Sequence, residues 1–68
     1  MDVSSFSIDQ MCKFLLDEGI PADVASNFSQ NCISGAAFVR LLEADLRDLC
    51  PLIGIRTKIR DLLEKVKN

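Results

Sequence analysis

The residues of this chain that could act as nucleophiles or soft metal ligands are three cysteines, Cys12, Cys32 and Cys50. They are 20 and 18 residues apart, and the chain contains no histidine. Because a zinc site needs clustered ligands and a catalytic cysteine needs an adjacent base, we expect no metal site, no catalytic thiol and no cofactor. The P-loop, H-E-x-x-H and G-x-S-x-G motifs are also absent, so the sequence predicts a protein that is not an enzyme.

The number and spacing of the cysteines indicate a reducing compartment. Small secreted domains usually carry an even, dense set of cysteines, whereas this chain has three that lie far apart. We expect all three thiols to pack as small apolar groups, in the core or half-buried, with redox sensing as the alternative. The sequence therefore predicts an intracellular protein, placed in the cytoplasm with the nucleus left open.

The length of the chain limits it to one domain. Its 68 residues, of which 49% are apolar, suffice for a single hydrophobic core. The chain has no long uncharged apolar run, and its start lacks the basic and apolar regions of a secretory signal, so we expect neither a membrane span nor a signal peptide. The prediction is one domain over residues 1–68, with a core at about 6–66, within a larger protein.

Charge is distributed unevenly along the chain. Residues 1–50 contain three basic and eight acidic residues, a formal charge of −5, whereas residues 51–68 contain five basic and two acidic residues, a charge of +3. Two of the basic residues, Lys65 and Lys67, suit the last turn of a helix because they complement its dipole. The segment therefore leaves Arg56, Lys58 and Arg60 as cations that need another explanation.

The first helix is predicted by its caps and by its apolar spacing. Ser7 and Gln10 form an S-x-x-Q capping box, so the helix should begin at Ile8. Gly19 marks its end. Its apolar stripe recurs at helical spacing and comprises Ile8, Met11, Cys12, Leu15 and Leu16.

The middle of the chain predicts three shorter helices. The second has Pro21 in its first turn and ends near Asn31, and the third follows Ser34 as its N-cap and runs for about two turns. The fourth starts near Glu43 and stops before Pro51. Their apolar positions are Val24, Phe28, Ala37, Phe38, Leu41, Leu46 and Leu49.

The last segment predicts the longest helix, which should follow Gly54. Its apolar positions are Ile55, Ile59, Leu62, Leu63 and Val66. Since no segment alternates polar and apolar residues around a tight turn, we expect no strand. The sequence thus predicts an all-α fold, a compact five-helix bundle with a long C-terminal helix.

Three runs of residues follow one another along the chain with the spacing of a known family pattern. The first is an aromatic-Ser, an apolar and an aromatic-Leu position, at Phe6-Ser7, Met11 and Phe14-Leu15. The second comprises Phe28, Asn31, Ile33-Ser34-Gly35, Phe38-Val39 and Leu41, and the third comprises Glu43, Asp45-Leu46, Leu49, Gly54, Arg56 and Lys58-Ile59. Over residues 6–66 the sequence thereby resembles a sterile alpha motif (SAM) domain, in which the second run reads F-x-x-N-x-I-D-G-x-x-L-L-x-L and the third reads E-x-D-L-x-x-L and then G-x-R-x-K-I.

Two positions depart from the family pattern. Leu42 stands where the family often has a capping Thr, and the loss of that cap leaves Leu42 available as contact surface. Cys50 stands where a glycine commonly follows the fourth helix, so the sequence does not support a glycine turn at this point.

The resemblance implies a protein-interaction module that forms homo- or hetero-oligomers with another SAM-type domain. Many members of this family associate through two faces, a mid-loop surface around helices 2 to 4 and an end-helix surface at the start of helix 5. The charge split of this chain fits that scheme, and opposite charges on different faces favour head-to-tail contact. Carried onto this chain, the acidic candidates are Glu43, Asp45 and Asp48. The end-helix candidates are Leu52, Ile53, Gly54, Arg56, Lys58 and Arg60.

Alternatives remain for each group of candidates. The charged residues also suit an ordinary solvated face, and Leu52 and Ile53 also suit core packing. Some members of the family bind RNA hairpins through basic residues at the start of the fifth helix, which makes RNA the alternative partner. Against it stand a formal charge of −2, a pI near 4.8 and the absence of Tyr and Trp for base stacking.

Overall fold

The computed structural model describes the backbone of residues 2–67 and the side chains of residues 2–66. The two ends of the predicted domain, positions 1 and 68, and the side chain of Lys67 lie outside this part. Within residues 2–67 the chain forms five helices and no strand, which confirms the all-α prediction. The helices are α1 Ile8–Asp17, α2 Ala22–Gln30, α3 Gly35–Phe38, α4 Glu43–Leu49 and α5 Ile53–Lys67. None of these helices combines the length and apolar character needed to cross a membrane.

Short connections of three or four residues join the helices into a bundle of 27 × 23 × 20 Å. The start of α1 is the predicted capping box, in which the Gln10 amide N–H donates to Ser7 Oγ and the Ser7 amide N–H donates to Gln10 Oε1. Its end is a Schellman motif, since the Gly19 and Ile20 amides donate to the carbonyls of Leu16 and Leu15. Gly19 has φ +89°, which explains the glycine.

The end of α2 repeats this motif without a glycine. The amides of Cys32 and Ile33 donate to the carbonyls of Ser29 and Phe28, and Cys32 takes the left-handed position at φ 58°. Its side chain is exposed, so the expectation that all three cysteines pack in or beside the core is wrong for Cys32. Cys32 is exposed because it lies beyond the last turn of α2. Its backbone is left-handed there because that conformation brings the following amides to the last carbonyls of the helix.

Three helix boundaries differ from the sequence-based expectation. Pro21 is the N-cap of α2 instead of standing in its first turn. Helix α3 has only four residues instead of about two turns, because the chain leaves the helix at Val39 and turns toward α4. Helix α5 begins at Ile53, so Gly54 lies within its first turn instead of preceding it. The Arg56 amide donates to the Leu52 carbonyl at 2.9 Å, which closes that turn.

The core is apolar and draws on every helix. It comprises Val3, Met11, Leu15, Ile20, Val24, Ala25, Phe28, Phe38, Leu41, Leu46, Leu49, Cys50, Ile59, Leu62, Leu63 and Val66. Leu16 does not belong to it: its side chain is 44% exposed because the buried side of α1 is centred on Met11 and Leu15. Cys12 is half-buried and Cys50 is buried, as expected for small apolar groups.

The core begins earlier in the chain than position 6. Val3 is fully buried, and its carbonyl lies against the start of α3, where a Cβ built on Gly35 would be 1.6 Å from the Val3 oxygen. The Gly35 amide donates to the Phe6 carbonyl at 2.9 Å, which ties the N-terminal segment to α3. Glycine is therefore required at position 35 because the backbone of residues 3–6 occupies the place of a side chain.

Replacing Gly35 by alanine should destabilise the fold. The new Cβ would overlap the Val3 carbonyl, so one of the two backbone segments has to move, and we expect a loss of about 2–4 kcal/mol in the free energy of unfolding. Chemical denaturation followed by circular dichroism measures this loss. Gly54→Ala is the matched control, because a Cβ at Gly54 has no neighbour within 4 Å and alanine favours the helix. Equal stability of the two variants would contradict the packing of Val3 on Gly35.

Replacing Cys32 by glycine should stabilise the fold. Glycine adopts the left-handed conformation of position 32 without a Cβ penalty, so we expect a gain of about 0.5–1 kcal/mol in the free energy of unfolding. Thermal unfolding of the reduced protein measures the gain. Cys32→Ser keeps the Cβ and is the control, for which no comparable gain is expected. A loss of stability in Cys32→Gly would show that position 32 is not strained.

Candidate functional site

An acidic depression lies between α4 and the loop that follows α2. Its volume is about 330 Å³. Its lining residues are Asn31, Ile33, Leu41, Asp45, Asp48 and Leu49. Two of the three predicted acidic candidates, Asp45 and Asp48, thus stand beside aliphatic side chains in one concave surface. Such a surface suits an apolar group that carries a positive charge next to it.

The two carboxylates of the acidic depression differ in their structural role. Asp45 Oδ2 accepts a hydrogen bond from the Leu42 amide at 3.1 Å, which satisfies one free N–H at the start of α4. Leu42 has no side-chain acceptor, so only this half of a capping box forms, and its own side chain is 70% exposed, as expected. Within residues 2–66 the Asp48 carboxylate makes no comparable bond, so Asp48 is the carboxylate without a structural role.

The start of α5 is an exposed apolar surface. Leu52 is 55% and Ile53 is 72% exposed, so core packing of these two side chains, which the sequence left open, is excluded. Gly54 follows them, and the space where its side chain would be is open. We call these three residues the α5 start. Glycine in an exposed first turn costs stability relative to alanine, and no contact within the domain requires it here.

A three-residue linker holds the α5 start in place. Cys50 is buried in an extended conformation, and its Sγ lies 3.6 Å from the Leu52 carbonyl oxygen. Because the backbone at Cys50 is extended, this position needs no glycine, and the Cys50 side chain fills a place in the core. On the preceding side, Asn27 Nδ2 donates to the Leu49 carbonyl, which satisfies an orphan acceptor at the end of α4. Pro51 completes the linker with a fixed φ.

Two of the predicted cations form ion pairs within the domain. Glu43 Oε1 lies 2.6 Å from Arg60 Nη2, and Glu43 Oε2 lies 3.7 Å from Arg56 Nε. We call these three residues the Glu43 cluster. The sequence placed Glu43 on a different surface from the two arginines, and that placement is wrong. It was wrong because contacts between the start of α4 and the middle of α5 leave no signal in the spacing of residues.

Lys58 lies on the other flank of α5. A Cβ built on Gly19 would be 2.7 Å from Lys58 Nζ, so the ammonium group packs over the turn that ends α1. The last turn of α1 contains no basic residue, and a cation at this place complements the negative end of the helix dipole. The sequence-based grouping of Lys58 with Arg56 and Arg60 therefore joins residues that the helix directs to opposite sides.

A second depression, which the sequence reasoning missed, lies along α1. Its volume is about 360 Å³, and it is lined by Phe6, Gln10, Lys13, Phe14 and Asp17. The Phe6 and Phe14 rings meet edge to face, with centroids 5.9 Å apart. The spacing of Gln10, Lys13, Phe14 and Asp17 along one side of a helix is the signal that could have identified it. Its two charged residues have opposite signs, so it has no net charge preference.

Comparisons with protein-family models, with curated proteins and with solved structures found no match to this chain. The resemblance to the SAM domain rests on the residues quoted above. Among the side chains of residues 2–66, no group of three or more Cys, Asp or Glu is arranged to hold a metal ion. The candidate site consists of the three surfaces defined above, namely the acidic depression, the α5 start and the Glu43 cluster.

Removing the Asp45 carboxylate should destabilise the domain, whereas removing the Asp48 carboxylate should not. In Asp45→Ala the Leu42 amide loses its partner, and loss of a helix cap of this kind costs about 0.5–1 kcal/mol in the free energy of unfolding. Asp48→Ala should match the wild type or exceed it slightly, since an acid near the end of a helix opposes the dipole. Parallel urea titrations measure both. Equal losses in the two variants would contradict the capping role of Asp45.

Proposed function

We propose that this chain is a protein-interaction module that associates head to tail, with the α5 start of one copy bound in the acidic depression of the next. The observation that carries this proposal is the exposure of Leu52 and Ile53 at a helix end that also bears arginine side chains. The resemblance to the SAM domain supports the same mode of association, and it extends the partner to a SAM-type domain of another protein. The unpaired thiols favour a reducing, intracellular setting.

The chemistry of the two surfaces is complementary. Ile53 projects an aliphatic side chain that gains about 1.5–2 kcal/mol when it is fully buried. The acidic depression is lined by the half-buried Ile33 and by Leu41 and Leu49, which are 9% and 6% exposed, with the Asp48 carboxylate beside them. Opposite charges around such an apolar contact set its orientation and speed the encounter more than they add affinity. The contact should therefore weaken with salt without being abolished by it.

The contact should propagate. The acidic depression and the α5 start have no residue in common, so joining one to the other leaves a free copy of each on the pair. A heterologous contact of this kind produces an open filament, or a ring if the rotation closes. Oligomers that grow with concentration are therefore the expected behaviour of the domain, where a two-fold interface would stop at a dimer.

The RNA-binding alternative has less support. Glu43 pairs with Arg56 and Arg60, and Lys58 packs over Gly19, so the three cations do not form one open patch. Affinity for phosphate rises with the number of cations that reach the backbone of the nucleic acid. The Glu43 cluster holds a carboxylate between its two arginines. It therefore suits a protein partner with few charges and an apolar contact better than it suits the closely spaced phosphates of RNA.

Sedimentation velocity at low and high salt should show that the mass of the wild-type protein grows with concentration, and less so at high salt. Two variants should block growth: Ile53→Gln removes the apolar contact of the α5 start, and Asp48→Lys reverses the charge of the acidic depression. Each variant alone should remain monomeric. An equimolar mixture should form a 1:1 complex and no larger species, because one intact surface of each kind remains.

Two matched controls accompany this experiment. Leu16→Gln removes an exposed aliphatic side chain from α1, and Asp17→Lys makes the same charge change on that helix, so both should assemble like the wild type. A wild-type protein that stays monomeric at every concentration, together with a mixture of Ile53→Gln and Asp48→Lys that does not associate, would reject head-to-tail self-association. Salt-sensitive binding of a hairpin RNA by the wild type in a gel shift would favour the RNA alternative instead.

A further inference from the structure

The Glu43 cluster lies on the flank of α5 that also carries Ile53. Residues 53, 56 and 60 are spaced i, i+3 and i+7, so they follow one another along one side of the helix. Glu43 places one carboxylate oxygen against each guanidinium, at 2.6 Å and 3.7 Å. A partner that covers Ile53 therefore meets two arginines that already share a carboxylate of their own chain.

The cluster is accessible to a partner. The Glu43 side chain is 43% and the Arg60 side chain 46% exposed, whereas Arg56 is 16% exposed. At the exposure of Glu43 and Arg60 an ion pair is weak, because water competes for both groups. Arg56 is more shielded, and its distance to Glu43 is longer, at 3.7 Å. An intramolecular carboxylate nevertheless has an advantage over an incoming one, since it needs no loss of translational freedom to stay in place. Glu43 thus lowers the attraction of this flank for other carboxylates without abolishing it.

We propose that Glu43 is a specificity determinant of the α5 surface, which competes with the carboxylates of the partner for Arg56 and Arg60. This inference rests on the proposed head-to-tail contact, and the partner it commits to is the acidic depression of a second copy. That depression offers the carboxylates of Asp45 and Asp48 beside an apolar contact for Ile53. A partner with a single carboxylate and no apolar contact does not displace Glu43, so the cluster discriminates against it.

The inference assigns Glu43 to the basic surface, whereas the resemblance to the SAM domain assigned it to the acidic one. The two assignments predict opposite effects of the same substitution. If Glu43 competes within its own chain, Glu43→Gln strengthens binding when it is placed in the copy that contributes its α5 surface. If Glu43 binds the partner directly, Glu43→Gln weakens binding when it is placed in the copy that contributes its acidic depression.

The 1:1 mixture of blocked variants separates these effects, because each copy contributes one known surface. The Ile53→Gln copy contributes its acidic depression, and the Asp48→Lys copy contributes its α5 surface. Isothermal titration calorimetry at low salt gives the Kd of this pair. Adding Glu43→Gln to the Asp48→Lys copy should lower the Kd about three- to fivefold, the range for one weak exposed ion pair. Adding it to the Ile53→Gln copy should leave the Kd unchanged.

The control is Asp61→Asn in the Asp48→Lys copy. Asp61 is exposed on another side of α5, and its substitution changes the charge by the same amount. It should alter the Kd less than twofold. The gain from Glu43→Gln should also shrink at high salt, since it arises from exposed charges. Thermal unfolding of each variant verifies that the copies remain folded.

The outcomes distinguish the two proposals. If the blocked variants bind each other and Glu43→Gln in the Asp48→Lys copy weakens binding, or acts no differently from Asp61→Asn, the competition by Glu43 is wrong while the head-to-tail contact stands. If no combination of copies associates, both proposals fall. If Glu43→Gln increases the affinity for a hairpin RNA and not for the Ile53→Gln copy, the choice of a protein partner is overturned.

Discussion

The rotation of α5 about its own axis decides where the charged residues of the candidate site lie. Its buried stripe contains Ile59, Leu62, Leu63 and Val66, and removing these side chains from water outweighs any preference of the charged residues for particular neighbours. Once the stripe faces the core, helical geometry directs the flank with Arg56 and Arg60 toward the start of α4, where Glu43 stands. The opposite flank lies over the end of α1. The burial of the apolar stripe therefore determines where the charged side chains of α5 lie.

The local features of the fold were accessible from the sequence because their causes are local. The capping box at Ser7, the glycine at the end of α1 and the apolar stripe of α5 each act within one or two helical turns. The contact between Val3 and Gly35 was not accessible, because it joins two backbone segments more than thirty residues apart and follows no periodic pattern. The short α3 was missed for a related reason. Its length is set by the turn toward α4, which apolar spacing does not describe.

The candidate site shows the same division. Sequence reasoning proposed Asp48, Leu52 and Ile53 as contact residues, with core packing left open for Leu52 and Ile53, and the structure places all three at the surface. It misassigned Glu43, whose partners lie on another helix, and it did not separate Lys58 from the two arginines. Charge along the chain is thus a poor guide to charge on a surface. Part of the basic excess of residues 51–68 is paired with Glu43 or packed over the end of α1 within the domain.

The linker between α4 and α5 lowers the conformational entropy that the α5 start would lose in the proposed contact. Its first residue is buried, its second has a fixed φ, and its third carries the carbonyl that closes the first turn of α5. Ordering a loop on binding costs about 1–2 kcal/mol for each residue whose backbone becomes fixed. Leu52 and Ile53 are already held at a helix end, so in the proposed head-to-tail contact their burial would carry no added cost of ordering their backbone.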